Sequence, residues 1–340
     1  MTPNAPSALK PSNPVLPTQV RTLGQALRFA HQQLRDAQVP AAAVDARALI
    51  RFATGLSETE LFFRSDDLLD EKAQRSLIAQ VIARRVAREP LQHIVGHASL
   101  MGVDLEVGPG VFIPRPETEA LVDWVLGQVP EQSQNRFRSA GRGPRIVDLC
   151  TGSGAIALAL ASQLPAAEVV AVERSATALA WAEKNLANYR SRWGSQRAER
   201  VHVVHGDVTD MGLLQVAELA PWLGGVDVVV SNPPYVPDSA PVSAEVHADP
   251  AEAVFGGADG LDVIRPMMAV VDALLAPGGV VAIEHDDASG SDVSRLLSNG
   301  WSYTQVAVHQ DLTGRDRFTV GRKAHPGAQE PANLLSESGA

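Results

Sequence analysis

The sequence predicts an α/β protein: a mostly parallel sheet covered by helices on both faces, preceded by a small all-helical domain. Three observations carry this. From Arg145 onward, short and nearly continuous apolar runs alternate with helix-patterned segments, as strands buried on both faces do. From Val20 to about Glu89, apolar residues recur at helical spacing. Between the two, Val103, Leu105 and Val107 alternate with Asp104 and Glu106, the signature of a half-buried strand.

Each element follows from local chemistry. Residues 1–17 are rich in Pro, Ser and Asn and read as disordered. A helical domain is expected over 18–90. Thr22 with Gln25, and Ser57 with Glu60, have capping-box spacing. Leu23, Leu27, Ala30 and Leu34 mark a first helical face, Pro40 breaks it, and a second helix runs through Ile50. Leu77, Val81 and Ile82 mark a later helix, whose Arg84, Arg85 and Arg88 read as a solvated face, or alternatively as a partner contact. Residues 91–114 are expected to form a β-hairpin bridge turning at Met101-Gly102. Residues 115–322 are expected to form the α/β domain, with a helix beginning near Glu117 and a surface insertion at 130–143. RIVDL, EVVAVE, VHVVHGD, VDVVVSN and GGVVAIE are its five strands, with SYTQVAVH and RFTVG as a closing antiparallel pair. Residues 323–340 read as a disordered tail.

Composition narrows the class. Of 340 residues, 45% are hydrophobic, enough for a sizeable core. The net charge of -10 argues against a general nucleic-acid binder. The single cysteine, Cys150, allows no internal disulfide and fits a reducing compartment. The N-terminus lacks the apolar core of a signal peptide, and no run approaches the ~20 apolar residues of a membrane helix. A cytoplasmic protein without membrane contact is expected. The nine histidines show no metal-ligand spacing with cysteine, so no metal is inferred.

Ligands of open α/β sheets bind beyond the carboxyl ends of the strands. Strand one ends at Asp148 and enters Cys150-Thr151-Gly152-Ser153-Gly154; strand two ends at Glu173 and strand three at Asp207. Strand five ends at Glu284, and strand four alone ends uncharged, in Asn232-Pro233-Pro234-Tyr235. The glycine loop is ambiguous by itself. It satisfies a dinucleotide fingerprint with Glu173 as the ribose acid, and it also fits another anion site or a plain turn. Asp148 is more telling, because a carboxylate at that junction is costly unless paired. An ammonium or sulfonium would justify it, and Asp207 suits an adenine amino group. Together these residues suit an adenosyl ligand with a positively charged end.

The stretch SNPPY completes the set. Asn232 and Pro233 each precede a proline and are held extended, and both prolines have fixed φ. The Asn232 side-chain oxygen and the Pro233 carbonyl are two fixed acceptors, suited to a planar NH2 group with two donors. Tyr235 offers an aromatic wall beside them. The plain alternative is a rigid turn capped by asparagine.

The pairing of DLCTGSG with NPPY resembles the class I S-adenosylmethionine-dependent N-methyltransferases. EPLQHIVG, VFIPRPETEALV, DLCTGSGAIALALA, VSNPPYVP, AVFGGADGLDVIR and DLTGRDRFTVGR, in order over roughly 20–322, resemble the release-factor glutamine N5-methyltransferase (HemK-type) family. The resemblance implies a Rossmann-like, mostly parallel seven-stranded sheet. It also implies methyl transfer from S-adenosyl-L-methionine to the glutamine of the Gly-Gly-Gln motif in class 1 peptide chain release factors. The Cys150–Gly154 loop, Glu173 and Val208 would line the cofactor site. Asn232 and Pro233 would hold the glutamine amide, with Tyr235 packed beside it and Pro234 within the same substrate-binding tip. A monomer without direct nucleic-acid binding is expected. A nucleic-acid amino-methyltransferase and a non-catalytic cofactor-binding protein are the alternatives. The chain departs from the family pattern at His93, Leu100, Met101, Cys150 and the Glu284–Ser289 segment, mostly in the bridge and last loop.

Overall fold

The structure is a computed structural model and describes residues 14–69, 71–129, 142–193 and 199–325. Positions 1–13 and 326–340 of the expected disordered ends, and 130–141 of the expected insertion, lie outside the described residues. The chain divides into two compact units, one of residues 1–97 with 242–248 and one of residues 98–241 with 249–340. No helix among the described residues is long and apolar enough to cross a membrane.

The first unit is helical: α1 (Leu23–Asp36), α2 (Ala42–Thr54), α3 (Glu58–Phe63), α4 (Lys72–Val86) and α5 (Leu91–Val95). Both capping boxes form, Thr22 with Gln25 at the head of α1 and Ser57 with Glu60 at the head of α3. Leu34, Leu49, Ile50 and Ile78 are fully buried and bring the long helices together. Residues 91–95, expected to begin the hairpin, are helical instead, because burying Ile94 completes this core.

Arg85 also corrects an expectation. It is 6% exposed and does not sit on a solvated face. Its Nε donates to Asp45 Oδ2 at 2.8 Å, and another guanidinium nitrogen donates to Glu245 Oε1 at 3.2 Å. Arg88 grips both oxygens of Glu245, at 2.8 and 2.9 Å. The planar guanidinium fork makes such a bidentate clamp possible. Residues 242–248, which follow the NPPY tip in sequence, thereby belong to the helical unit.

The second unit carries the sheet. β1 (His97–Leu100) and β2 (Val103–Glu106) form a two-stranded hairpin. Met101 and Gly102, at φ of 50° and 75°, make the tight turn that matches strand twist. Then follow α6 (Thr118–Gln128), β3 (Arg145–Leu149), α7 (Ala155–Gln163), β4 (Glu168–Glu173), α8 (Ala176–Trp193), β5 (Val201–His205) and β6 (Val226–Ser231). The chain continues with α9 (Ala251–Val254), α10 (Ile264–Leu274), β7 (Leu275–Glu284), α11 (Gly290–Gly300), β8 (Tyr303–Gln310) and β9 (Asp316–Lys323). The seven strands are ordered β5-β4-β3-β6-β7-β9-β8. The first five pair in parallel, and β9 and β8 close the edge antiparallel. Alternate residues feed two apolar layers: Ile146, Val169 and Val228 on one face, Val147, Val170 and Val229 on the other. This is the expected doubly covered, mostly parallel seven-stranded sheet.

Two predictions concern the arginine clamp. Arg85→Ala strands the buried Asp45 carboxylate without its partner. Urea unfolding should show a loss of about 3 kcal/mol. Replacing both groups, as Asp45→Leu with Arg85→Met, should cost clearly less, and equal losses would contradict the pairing. The Arg88 guanidinium, against a smaller upward push from burial, holds the Glu245 carboxyl down at about 2. A folded-state value below the unfolded one stabilises fully above pH ~4.5, and the contribution disappears as pH falls toward 2. The stability gap between the unaltered protein and Glu245→Gln should therefore narrow over that window in parallel urea titrations.

Candidate active site

Strand order reverses between β3 and β6, so their tips lie side by side, with Leu149 paired to Ser231. The fully buried Ser231 donates its hydroxyl to the Leu149 carbonyl at 2.8 Å and locks the junction. Beyond these tips lies a cleft with about 950 Å³ of empty space, open to solvent. Its walls bring together Cys150, Thr151, Gly152, Ser153, Glu173, Asp207, Val208, Asn232 and Pro234. Asp148, Gly154, Pro233 and Tyr235 are adjacent in sequence but are not on its wall.

The β3 loop is left-handed at Cys150, Gly152 and Gly154, with φ of 62°, 59° and 83°. Gly152 takes this conformation without strain because it has no Cβ; a side chain there would meet no neighbour, yet its backbone would still be strained. Cys150 takes the same region without that freedom, and burial pushes its thiol pKa up. Glu173, at the β4 tip, accepts from the Gly152 N–H through one oxygen and the Ser175 N–H through the other, each at 2.8 Å. The carboxylate thus braces the loop and keeps further lone pairs.

Asp148 is fully buried beneath the loop. Its Oδ2 accepts from the Thr151 hydroxyl at 2.5 Å and the Ala157 N–H at 3.1 Å, while Oδ1 has no partner. Burial pushes its pKa up to about 7 despite those two donors. Asp207, beyond β5, is held below its ordinary range. Burial pushes it up, but the Thr209 hydroxyl and N–H, with Arg174 3.6 Å away, outweigh that.

At the β6 tip, the Asn232 side-chain nitrogen donates to Thr118 Oγ1 at 3.4 Å. The Tyr235 hydroxyl donates to Glu284 Oε1 at 3.2 Å, so the ring is tethered at the end of β7. Among the described residues, neither the Asn232 side-chain oxygen nor the Pro233 carbonyl accepts a hydrogen bond. The segment from Val254 to Gly260 backs the tip. Val236 N–H donates to Val254 O, and Gly256 N–H to Val236 O, each at 2.9 Å. Gly260 must be glycine: at φ 77°, a Cβ would sit 2.1 Å from the Tyr235 carbonyl. The FGGADGL motif is thus the backing plate of NPPY.

Several residues here escaped the sequence reading. Asn185, 1% exposed, donates to the Ser153 carbonyl at 2.9 Å and exchanges hydrogen bonds with the Glu106 backbone. Asp249 accepts from the Ile113 N–H at 3.3 Å and pairs with Arg115, fixing the cleft-lining Pro250 beside it. Thr118 lies inside PRPETE, a motif that gave no hint of which residue mattered. Among the described residues, no cluster of three or more His, Cys, Asp or Glu could hold a metal ion.

Comparison with known proteins agrees with this architecture. Residues 25–96 match the family model of the PrmC N-terminal domain, and residues 134–249 match that of the Methyltransferase small domain. The release factor glutamine methyltransferase of Corynebacterium glutamicum is 43% identical over 302 residues, covering 89% of this chain and 99% of its own. That of Streptomyces coelicolor is 42% identical, covering 87% and 96%. That of Mycolicibacterium smegmatis is 40% identical, covering 90% and 98%. With a strand-order reversal that joins a glycine loop to an NPPY tip, and relatives this similar over nearly their whole length, the chain belongs to the release factor glutamine methyltransferase family.

Proposed function

We propose that the cleft binds S-adenosylmethionine and that the Asn232–Tyr235 tip presents a glutamine side-chain amide for methylation on nitrogen. The glutamine is that of the Gly-Gly-Gln motif in class 1 peptide chain release factors. One observation carries the reading: two acceptors without protein partners, Asn232 Oδ1 and the Pro233 carbonyl, sit at a tip paired to the glycine loop.

The residues present fit the cofactor. Asp148 keeps a buried oxygen with no donor, which an ammonium would satisfy. The Glu173 carboxylate, with one loop N–H on each oxygen, retains acceptors for a ribose diol. Asp207 and Val208 border the cleft and would offer a purine edge an acceptor and a backbone donor. The cofactor supplies a methyl group on a sulfonium, whose leaving group is a neutral thioether.

The chain's own part is positioning. An amide nitrogen is a weak nucleophile, because its lone pair is delocalised into the carbonyl. Two N–H bonds, to Asn232 and Pro233, fix the rotation of the NH2 group and aim its remaining lone-pair density at the methyl carbon. Both strengthen as positive charge grows on nitrogen, the reverse of an oxyanion hole. The nitrogen–carbon bond forms as the carbon–sulfur bond breaks. The methylated amide is strongly acidic and sheds its extra proton to water, so no general base is required.

Incubation with labelled cofactor and a class 1 release factor should place one methyl on the Gly-Gly-Gln peptide and none on RNA or DNA. Label on nucleic acid alone would overturn the reading. Asn232→Ala should bind cofactor yet lose transfer by about 100-fold or more, as when a single positioned partner of transition-state charge is removed. Near-normal turnover would remove Asn232 from its role. Glu173→Ala should weaken cofactor binding by roughly tenfold or more, the scale of a lost charged hydrogen bond. An unchanged dissociation constant by calorimetry would count against the ribose assignment.

A further inference from the structure

We propose that Glu284 is a positioning residue for methyl transfer, acting through the Tyr235 hydroxyl to hold the aromatic ring of the tip in place. The inference rests on the function proposed above and deepens it. A ring beside a substrate amide is useful only where it is fixed, because a wall that moves lets the amide turn. The backbone end of Tyr235 is fixed by its neighbours. Val236 N–H donates to Val254 O at 2.9 Å, and Gly260 lies so close to the Tyr235 carbonyl that it leaves no room for a Cβ. The side chain still has two torsions, which backbone contacts alone do not hold. The far end of the ring needs an anchor of its own.

Glu284 is that anchor, for its Oε1 accepts from the Tyr235 hydroxyl at 3.2 Å. The carboxyl stands on rigid ground. Ile283 pairs with Ser231 of β6, and Glu284 pairs with Phe318 of β9. The next residue is pinned as well. His285 N–H donates to the Arg317 carbonyl at 2.9 Å, and its side chain is fully buried. Its Nδ1 lies 2.8 Å from the Asp286 carbonyl and its Nε2 2.8 Å from the Thr319 hydroxyl. A carbonyl only accepts, so Nδ1 carries the proton, and the Nε2 of a neutral ring accepts from Thr319. Burial favours that neutral ring by lowering its pKa. The anchor therefore refers the Tyr235 ring to the same sheet that sets the height of Asn232.

Folding gives no reason for a carboxyl at this place. Glu284 is 1% exposed, and its Oε2 is buried with no hydrogen-bond partner. A buried carboxyl short of donors costs stability, and an apolar side chain would fill the space without that cost. What the carboxyl supplies is a fixed acceptor within reach of the Tyr235 hydroxyl. Stability and activity therefore part company at this position, and that separation marks a positioning role.

Steady-state methylation of a release factor by the full chain, urea unfolding and cofactor calorimetry together test this. Glu284→Leu removes both the acceptor and the buried carboxyl. It should unfold at no lower urea concentration than the unaltered protein. Its kcat should nevertheless fall about tenfold or more, the scale of a slightly misplaced reacting group. Cofactor affinity and KM for the release factor should both stay within about twofold of normal, as for a group that acts only on the chemical step. Glu284→Gln keeps an acceptor at the same place and should recover kcat to within about threefold of normal. Tyr235→Phe removes only the hydroxyl and should be about as slow as Glu284→Leu, which keeps the test open should Glu284→Leu not fold. Because Glu284 acts through that hydroxyl, adding Glu284→Leu to Tyr235→Phe should cost nothing further. The inference is overturned if Tyr235→Phe or a folded Glu284→Leu turns over normally. It is equally overturned if glutamine is as slow as leucine, or if leucine slows the Tyr235→Phe background as much as the unaltered one. The unaltered protein separates the two levels. No methyl on the release factor there overturns the reaction and this inference with it. Normal transfer there alongside fast variants overturns the anchoring role of Glu284 alone.

Discussion

The site depends on one pairing, the parallel contact of β3 with β6. These strands are separated by the whole of β4 and β5 in sequence, yet they are neighbours in the sheet. The chain builds outward from β3 in one direction and then returns to build in the other. Such a reversal leaves the two tips without a connection crossing between them, which is why ligands of this architecture settle there. The Ser231 hydroxyl on the Leu149 carbonyl fixes the relative height of the tips. A slip of one residue would turn Asn232 to the opposite face of the sheet. The glycine loop and the NPPY tip are therefore a single device, held in register by the sheet.

That device tolerates two costly groups. Asp148 and Glu284 are both essentially fully buried carboxyls, both pushed up to about 7, and each retains an oxygen without a hydrogen-bond partner. A fold selected for stability alone would fill these positions with apolar residues. They lie at the carboxyl ends of β3 and β7, on either side of the β6 tip. Local violations of good packing chemistry concentrate where function requires them. An oxygen left short of donors in the protein is a natural acceptor for a donor brought by a ligand or a neighbour.

Much of this was legible in the sequence, for a specific reason. Glycine and proline act on the backbone of their own or adjacent residues, so the left-handed loop at Gly152 and Gly154 and the stiff tip at Pro233 and Pro234 could be read locally. Apolar runs with a constant rhythm gave the strands. The unread residues depend on partners far away: Asn185 on Glu106 and Ser153, Asp249 on Arg115, Thr118 on Asn232. Polar side chains carry no rhythm that reveals such pairings. Arg85 is a different case. It stands three, four and seven residues after Ile82, Val81 and Ile78, squarely on the buried stripe of α4. The spacing was there to read, but the neighbouring arginines suggested a solvated face.

The chemistry of the tip follows from what proline lacks. Asn232, Pro233 and Pro234 contribute three backbone carbonyls, but the two prolines contribute no N–H. A turn of ordinary residues would mix donors with acceptors and could bind a carbonyl as readily as an amine. This one offers acceptors, and the Asn232 side chain adds another only if its NH2 group is occupied elsewhere. An acceptor-rich rim selects a group that donates through both of its protons, and it favours that group more as it becomes positive. The same rim would gain nothing from a hydroxyl nucleophile, which has one proton to give and must lose it. Stiffness completes the selection. Fixed φ values and the glycine backing at Gly260 leave the acceptors little freedom to relax toward a wrongly shaped donor. On the proposed function, the tip would suit a planar NH2 group through the absence of donors as much as through the presence of asparagine.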